Sequence, residues 1–148
     1  MVTNTERVKS LYEAFGRGDV PAVLGAFDPQ IQWREAESFR YADRNPYVGP
    51  KAVAEGVFLR IASDVDHFTV TPERLADAGD IVLSEGRYRG TVKATAEAVN
   101  VQFAHVWRFR DGKVVEFQQY TDTKQWADAF GARTEEETRT AAAQRRTS

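Results

Sequence analysis

Residues 99–121 read VNVQFAHVWRFRDGKVVEFQQYT. Two runs rich in β-branched and aromatic residues, Val99–Phe109 and Lys113–Thr121, flank Asp111-Gly112. Asp-Gly between such runs is a strong hairpin signal, because both central residues of the tightest turn need a positive φ. Side chains alternate along a strand, so Phe103, His105, Trp107 and Phe109 share one face. One imidazole is thereby set in an aromatic row. On the second strand Phe117, Gln119 and Thr121 share a face.

The same parity recurs near the start of the chain. Ile31, Trp33 and Glu35 alternate along a strand predicted over Ile31–Glu35. A carboxylate and an imidazole, each among aromatic residues, are what an acid–base pocket needs.

Helical spacing accounts for the remaining N-terminal segments. Thr3 and Glu6 have capping-box spacing, and Val8, Leu11, Tyr12 and Phe15 follow as one apolar stripe. Asp19 is placed as the N-cap of a short second helix that ends at Asp28-Pro29. Gly49-Pro50 opens a third, with Val53, Val57, Phe58 and Ile61 facing inward. Two more strands are predicted at His67–Thr71 and Ile81–Gly90. Gly86 inside the second points to a bulge or a close backbone approach. Asp122 is placed as the cap of a short terminal helix. Helices first and hairpins afterwards argue for an α+β fold: a cone-shaped, curved antiparallel sheet with the N-terminal helices on its concave face. Residues 1–131 make one domain, and 132–148 form a polar tail.

Composition narrows the function. The chain has 148 residues, a net charge of −2 and no cysteine. No basic face is implied, so nucleic acid is not an expected partner. Disulfides and thiolate chemistry are excluded, which fits a cytoplasmic setting. The N-terminal residues lack the apolar core of a signal peptide, and no run is long enough to span a membrane. Two histidines far apart in sequence, with no carboxylate at ligand spacing, give no metal set. No phosphate-cradling glycine fingerprint is present, so no cofactor is expected.

The order of elements resembles the nuclear-transport-factor-2-like superfamily, in its SnoaL-like and ketosteroid-isomerase-like branch. The resemblance is carried by Leu11-Tyr12-Glu13-Ala14-Phe15 with Gly18-Asp19, by Trp33, and by Tyr47 through Val53. Later it is carried by His105 through Phe109, Asp111 through Val115, and Gln119 through Thr123. It implies a cone-shaped cystatin-like α+β barrel and a homodimer. Glu35 falls where ketosteroid isomerases have a catalytic aspartate base. His105 falls where they have a protonated aspartate that holds an oxyanion, and Leu11 where they have an oxyanion tyrosine. Gln119 falls where cyclases similar to SnoaL have a catalytic aspartate.

Two readings follow for these residues. In one, Glu35 is a base and His105 donates to an enolate oxygen, in a cofactor-independent isomerase or cyclase acting on a small apolar carbonyl compound. Trp33, Tyr47, Phe58, Tyr88, Phe103, Trp107 and Gln119 then line the ligand site. In the other, the same cavity only binds a small molecule, or the domain is a dimeric interaction module. The superfold hosts enzymes and binding proteins alike, so the fold alone does not choose between them.

Overall fold

Thr3 opens the first helix as expected. Its hydroxyl accepts from the Glu6 N–H at 3.1 Å while its own N–H donates to the Glu6 carboxylate at 3.2 Å. The computed structural model describes residues 1–131, so the tail assigned to 132–148 lies outside the described residues. Helix α1 (Asn4–Gly16) buries Val8, Leu11, Tyr12 and Ala14. Asp19 caps α2 (Val20–Gly25) through the Ala22 N–H. Strand β1 (Phe27–Arg34) follows, then a 3₁₀ turn (Arg40–Arg44) and the short β2 (Tyr47–Val48). Helix α3 (Pro50–Val53) runs through a π-helical turn (Ala54–Phe58) into α4 (Leu59–Asp64). The chain then makes β3 (Val65–Ala78), β4 (Ile81–Val92), β5 (Ala98–Arg110), β6 (Lys113–Thr121) and the capped helix α5 (Thr123–Phe130).

The six strands form one sheet in the order β2-β1-β6-β5-β4-β3. Four pairings are antiparallel, but β1 lies parallel to β6. The sheet is therefore mixed rather than purely antiparallel. A hairpin forces antiparallel neighbours; β1 and β6 are joined by most of the chain, so nothing in the connection imposes a direction. Strand β1 also begins earlier than Ile31. Pro29 is tolerated because pairing with β6 is irregular between Phe27 and Gln32, where a missing N–H leaves no ladder bond unmade.

Parity held along the hairpin. In β5, Val99, Val101, Phe103, His105, Trp107 and Phe109 are buried, and the residues between them are partly or fully exposed. The turn has positive φ at both Asp111 and Gly112, as the Asp-Gly signal requires. Residues 91–98, weakly patterned in the sequence, hold the end of β4, a tight connection and the start of β5. Their burial is slight apart from Val92, so periodicity had little to act on.

Gly86 sits where β3 and β4 shift register, between Pro72 and Arg74. A Cβ built there falls 2.0 Å from the Thr71 carbonyl oxygen and 2.8 Å from the Pro72 Cα. Both obstacles are backbone, so the strand itself has to move. Gly86→Ala is expected to lower unfolding free energy by roughly 1–3 kcal/mol, as overpacking does. Urea titration checks it, and an unchanged midpoint would show that the strands can separate without cost.

Candidate functional site

The pairing register sets a polar row inside an apolar layer. Ser84 on β4, His105 on β5 and Gln119 on β6 are directly opposite one another. One step along lies an apolar row: Val82, Trp107, Phe117 and Trp33, the last on β1. Trp33 and Phe117 stack with ring centroids 3.6 Å apart. All three polar residues are buried, and burial without partners would be costly, so each is paired.

His105 is paired on both sides. Its Nδ1 lies 2.7 Å from the Tyr12 hydroxyl and its Nε2 2.5 Å from the Tyr88 hydroxyl. The Tyr12 oxygen also touches the Ser84 hydroxyl at 2.5 Å and accepts from the Trp107 indole N–H at 3.2 Å. At the other end the Gln119 amide donates to the Tyr88 hydroxyl at 2.9 Å. Gln119 cannot turn round, because its carbonyl accepts the Ala36 N–H at 3.2 Å. Burial pushes the imidazole pKa down to about 3, so His105 is neutral near pH 7. Burial likewise raises the Tyr12 and Tyr88 phenols, which remain protonated.

Glu35 follows β1 and is 3% exposed. Its Oε2 accepts from the Trp33 indole N–H at 3.2 Å, while Oε1 accepts from no described residue. The Asn45 side chain clamps its backbone, with a carbonyl acceptor at 2.9 Å and an amide donor at 2.8 Å. Burial pushes the carboxyl up to about 7, against the opposing pull of the Trp33 bond and the Arg60 charge. Its charge also raises the Tyr88 pKa, so the two groups feel one another.

A cavity of about 80 Å³ lies among these groups. Glu35, Tyr12, Tyr88, His105 and Gln119 bring polar atoms to a wall that is otherwise apolar and rich in rings. An apolar cavity of roughly 150 Å³ admits benzene, so this one suits a ligand of only a few heavy atoms. Among the described residues, no three His, Cys, Asp or Glu side chains gather as a metal set.

Of the residues singled out in the sequence, Glu35, His105, Trp33, Phe58, Tyr88, Trp107 and Gln119 line this cavity. Tyr47 does not. Its hydroxyl donates to the Tyr41 carbonyl at 2.5 Å, and its ring covers Gly56, where a Cβ would come within 2.1 Å of it. Phe103 stands behind the wall, stacked on His105 with centroids 4.0 Å apart. His105 differs from its expected role in one respect, since both ring nitrogens are already bonded to tyrosines.

Leu11, at the position matched to an oxyanion tyrosine, brings no hydroxyl to the cavity wall, and its neighbour Tyr12 does. Tyr12 is on the buried stripe of α1, and its hydroxyl reaches β4 and β5. The stripe Val8, Leu11, Tyr12, Phe15 carried that signal. Ser84 went unnoticed, although its parity with Val82, Gly86 and Tyr88 placed it on the inner face. Trp126 of α5 lines the cavity too, with a buried indole N–H that has no partner among the described residues.

A curved six-stranded sheet with helices across it and a ring-walled cavity within defines a protein of the nuclear-transport-factor-2-like fold. The comparisons with known proteins narrow this: the SnoaL-like domain matches residues 8–117, and the chain belongs to that family. An NTF2-like protein of Burkholderia thailandensis E264 shares 36% identity over 87% of this chain and 98% of its own, with a TM-score of 0.83. A protein of Jannaschia sp. CCS1 described as a SnoaL-like polyketide cyclase has 18% identity over 88% and 93%, with a TM-score of 0.74. A ketosteroid-isomerase-like protein of Catenulispora acidiphila DSM 44928, solved with trimethylamine, has 21% identity over 88% and 96%, with a TM-score of 0.73. No curated protein matches the chain. No helix among the described residues is long and apolar enough to cross a membrane.

The raised carboxyl has a consequence for stability. Below about pH 4.5, Glu35 is protonated whether the chain is folded or not. Above about pH 7 the folded protein holds a buried charge that the unfolded chain would expose to water. The folded state binds the proton more tightly, so this stabilisation is present at low pH and is lost as pH rises through about 7. Glu35→Gln removes the dependence and leaves His105 in place. The variant is expected to gain about 3 kcal/mol on wild type between ~pH 4 and ~pH 9. Denaturant titrations of both proteins at the two pH values measure it; a constant difference would mean that Glu35 is solvated.

Proposed function

We propose that the protein catalyses proton transfer next to the carbonyl of a small compound, without a cofactor. The single observation that carries this reading is the buried Glu35 carboxyl, with one oxygen unclaimed, at a wall that also bears the Tyr88 hydroxyl. A base whose pKa lies near neutrality both takes and returns a proton efficiently at pH 7. As Glu35 removes the α-proton, charge moves to the carbonyl oxygen. A hydroxyl already in place meets that charge without reorganisation. His105 acts behind the tyrosine rather than on the ligand. The cavity volume limits the substrate to small ketones or aldehydes; a steroid or fused-ring polyketide exceeds it.

Exchange of α-protons into D₂O, followed by NMR on acetone and butan-2-one, tests the reaction. Exchange above the buffer rate is expected, rising with pH through about 7 as Glu35 ionises and level above it. Glu35→Gln should remove the contribution of the general base, on the order of 10²–10⁴-fold. Tyr88→Phe should slow exchange by roughly 10²–10³-fold, the usual effect of losing one oxyanion donor. Wild-type rates equal to buffer across such ketones would sink the proposal.

One observation favours a second reading. Aromatic faces around a carboxylate also suit a small organic ammonium ion, held by ring faces and charge. The Catenulispora protein of similar fold was solved with trimethylamine. Calorimetry with trimethylammonium chloride separates the two readings. Binding that disappears in Glu35→Gln, from a protein inert toward ketones, would establish the binding module in place of the enzyme.

A further inference from the structure

Proton counting along the buried chain fixes its direction. Three contacts join Tyr88 to His105, His105 to Tyr12, and Tyr12 to Ser84. Each contact uses one proton. The four groups carry four, namely three hydroxyl protons and one on the neutral ring. One hydroxyl proton is therefore left over, and its position depends on which ring nitrogen is protonated.

If Nδ1 carries the ring proton, the Tyr88 hydroxyl must donate to Nε2. Tyr12 then receives from Nδ1 and donates to Ser84, and the spare proton belongs to Ser84. Ser84 is 3% exposed, is not a cavity-wall residue and has only Tyr12 and Trp107 as partners among the described residues. Its proton would be buried with no acceptor, at a cost of roughly 1–3 kcal/mol. Leaving the spare proton on Tyr12 is no better. That oxygen already has Ser84, His105 and Trp107 around it, which fills every direction open to a phenol oxygen.

If Nε2 carries the ring proton, Ser84, Tyr12 and both ring nitrogens are satisfied, and no proton is left against packed protein. Ser84 donates to Tyr12, Tyr12 to Nδ1, and Nε2–H to the Tyr88 oxygen, which also accepts from Gln119. The spare proton is then on Tyr88. That oxygen has only two neighbours and one open direction, on a residue that lines the cavity.

We propose that His105 is held as its Nε2–H tautomer and acts as a positioning residue. The Tyr88 hydroxyl thereby points its proton into the cavity, and the ligand meets it with an acceptor oxygen. The effect on rate rests on the proton-transfer reading above; the tautomer and the acceptor requirement do not.

Long-range ¹H–¹⁵N correlation NMR on ¹⁵N-labelled, ligand-free protein distinguishes the two ring nitrogens. Wild-type His105 is expected to show a protonated Nε2 and a bare Nδ1, unchanged from ~pH 5 to ~pH 8 because its pKa is pushed down to about 3. The only other histidine, His67, is exposed and serves as the solvent-averaged reference. Ser84→Ala deletes the hydroxyl that pins Tyr12, makes both directions comparable, and is expected to give a mixture of tautomers. In the ketone assay it should slow exchange by less than Tyr88→Phe does. A wild-type Nδ1–H signal would overturn the inference, and so would a Ser84→Ala spectrum identical to wild type. Absence of ketone exchange beside an Nε2–H signal would instead defeat the proposed reaction and leave the tautomer standing.

Discussion

Water is kept away from a group of polar side chains, and most of the site follows from that one constraint. Inside an apolar layer an unpaired hydroxyl or imidazole is expensive, so each such group must hold another. Ser84, Tyr12, His105, Tyr88 and Gln119 answer this by bonding in series across three strands and a helix. Glu35 answers it only in part, with a single indole donor, and its pKa rises in consequence. The difference in how well they are satisfied separates the fully bonded groups from the one carboxyl that keeps an oxygen without a partner among the described residues.

Much of this was legible in the sequence because strands write their faces with a period of two. His105 and Gln119 are inward by parity, and so is Ser84, though a lone serine among apolar residues gives little reason to be noticed. Glu35 also read correctly, since Ile31 and Trp33 set its phase. Two things were not legible. Which hydroxyl meets His105 depends on the height and rotation of α1 over the sheet, and no local pattern encodes that. The fate of Tyr47 depends on Gly56 in a π-helical turn, where one added residue per turn alters the helix phase. Tyr47 packs there instead of reaching the cavity.

The SnoaL-like scaffold combines a rigid sheet with a wall whose side chains can vary independently. Relatives of this fold include proteins described as cyclases and isomerases, so membership fixes the shape of the container and leaves the chemistry to particular residues. Here the wall is crowded with rings. Trp33, Phe58, Trp107 and Phe117 meet edge to face or stacked, which leaves little free volume. A small cavity is the direct result.

The parallel contact between β1 and β6 has a consequence for the order of assembly. It sets Trp33 beside Phe117 and brings Ala36 to Gln119, partners separated by more than eighty positions along the backbone. Closing so long a loop is entropically slow, and contacts of this kind are made late in folding. A nascent chain can form its β3–β4 and β4–β5 hairpins and still lack a finished wall around Glu35. The carboxyl would then be bathed in water, with an ordinary acidity. The buried setting of Glu35 is therefore complete only once the last strand is in place.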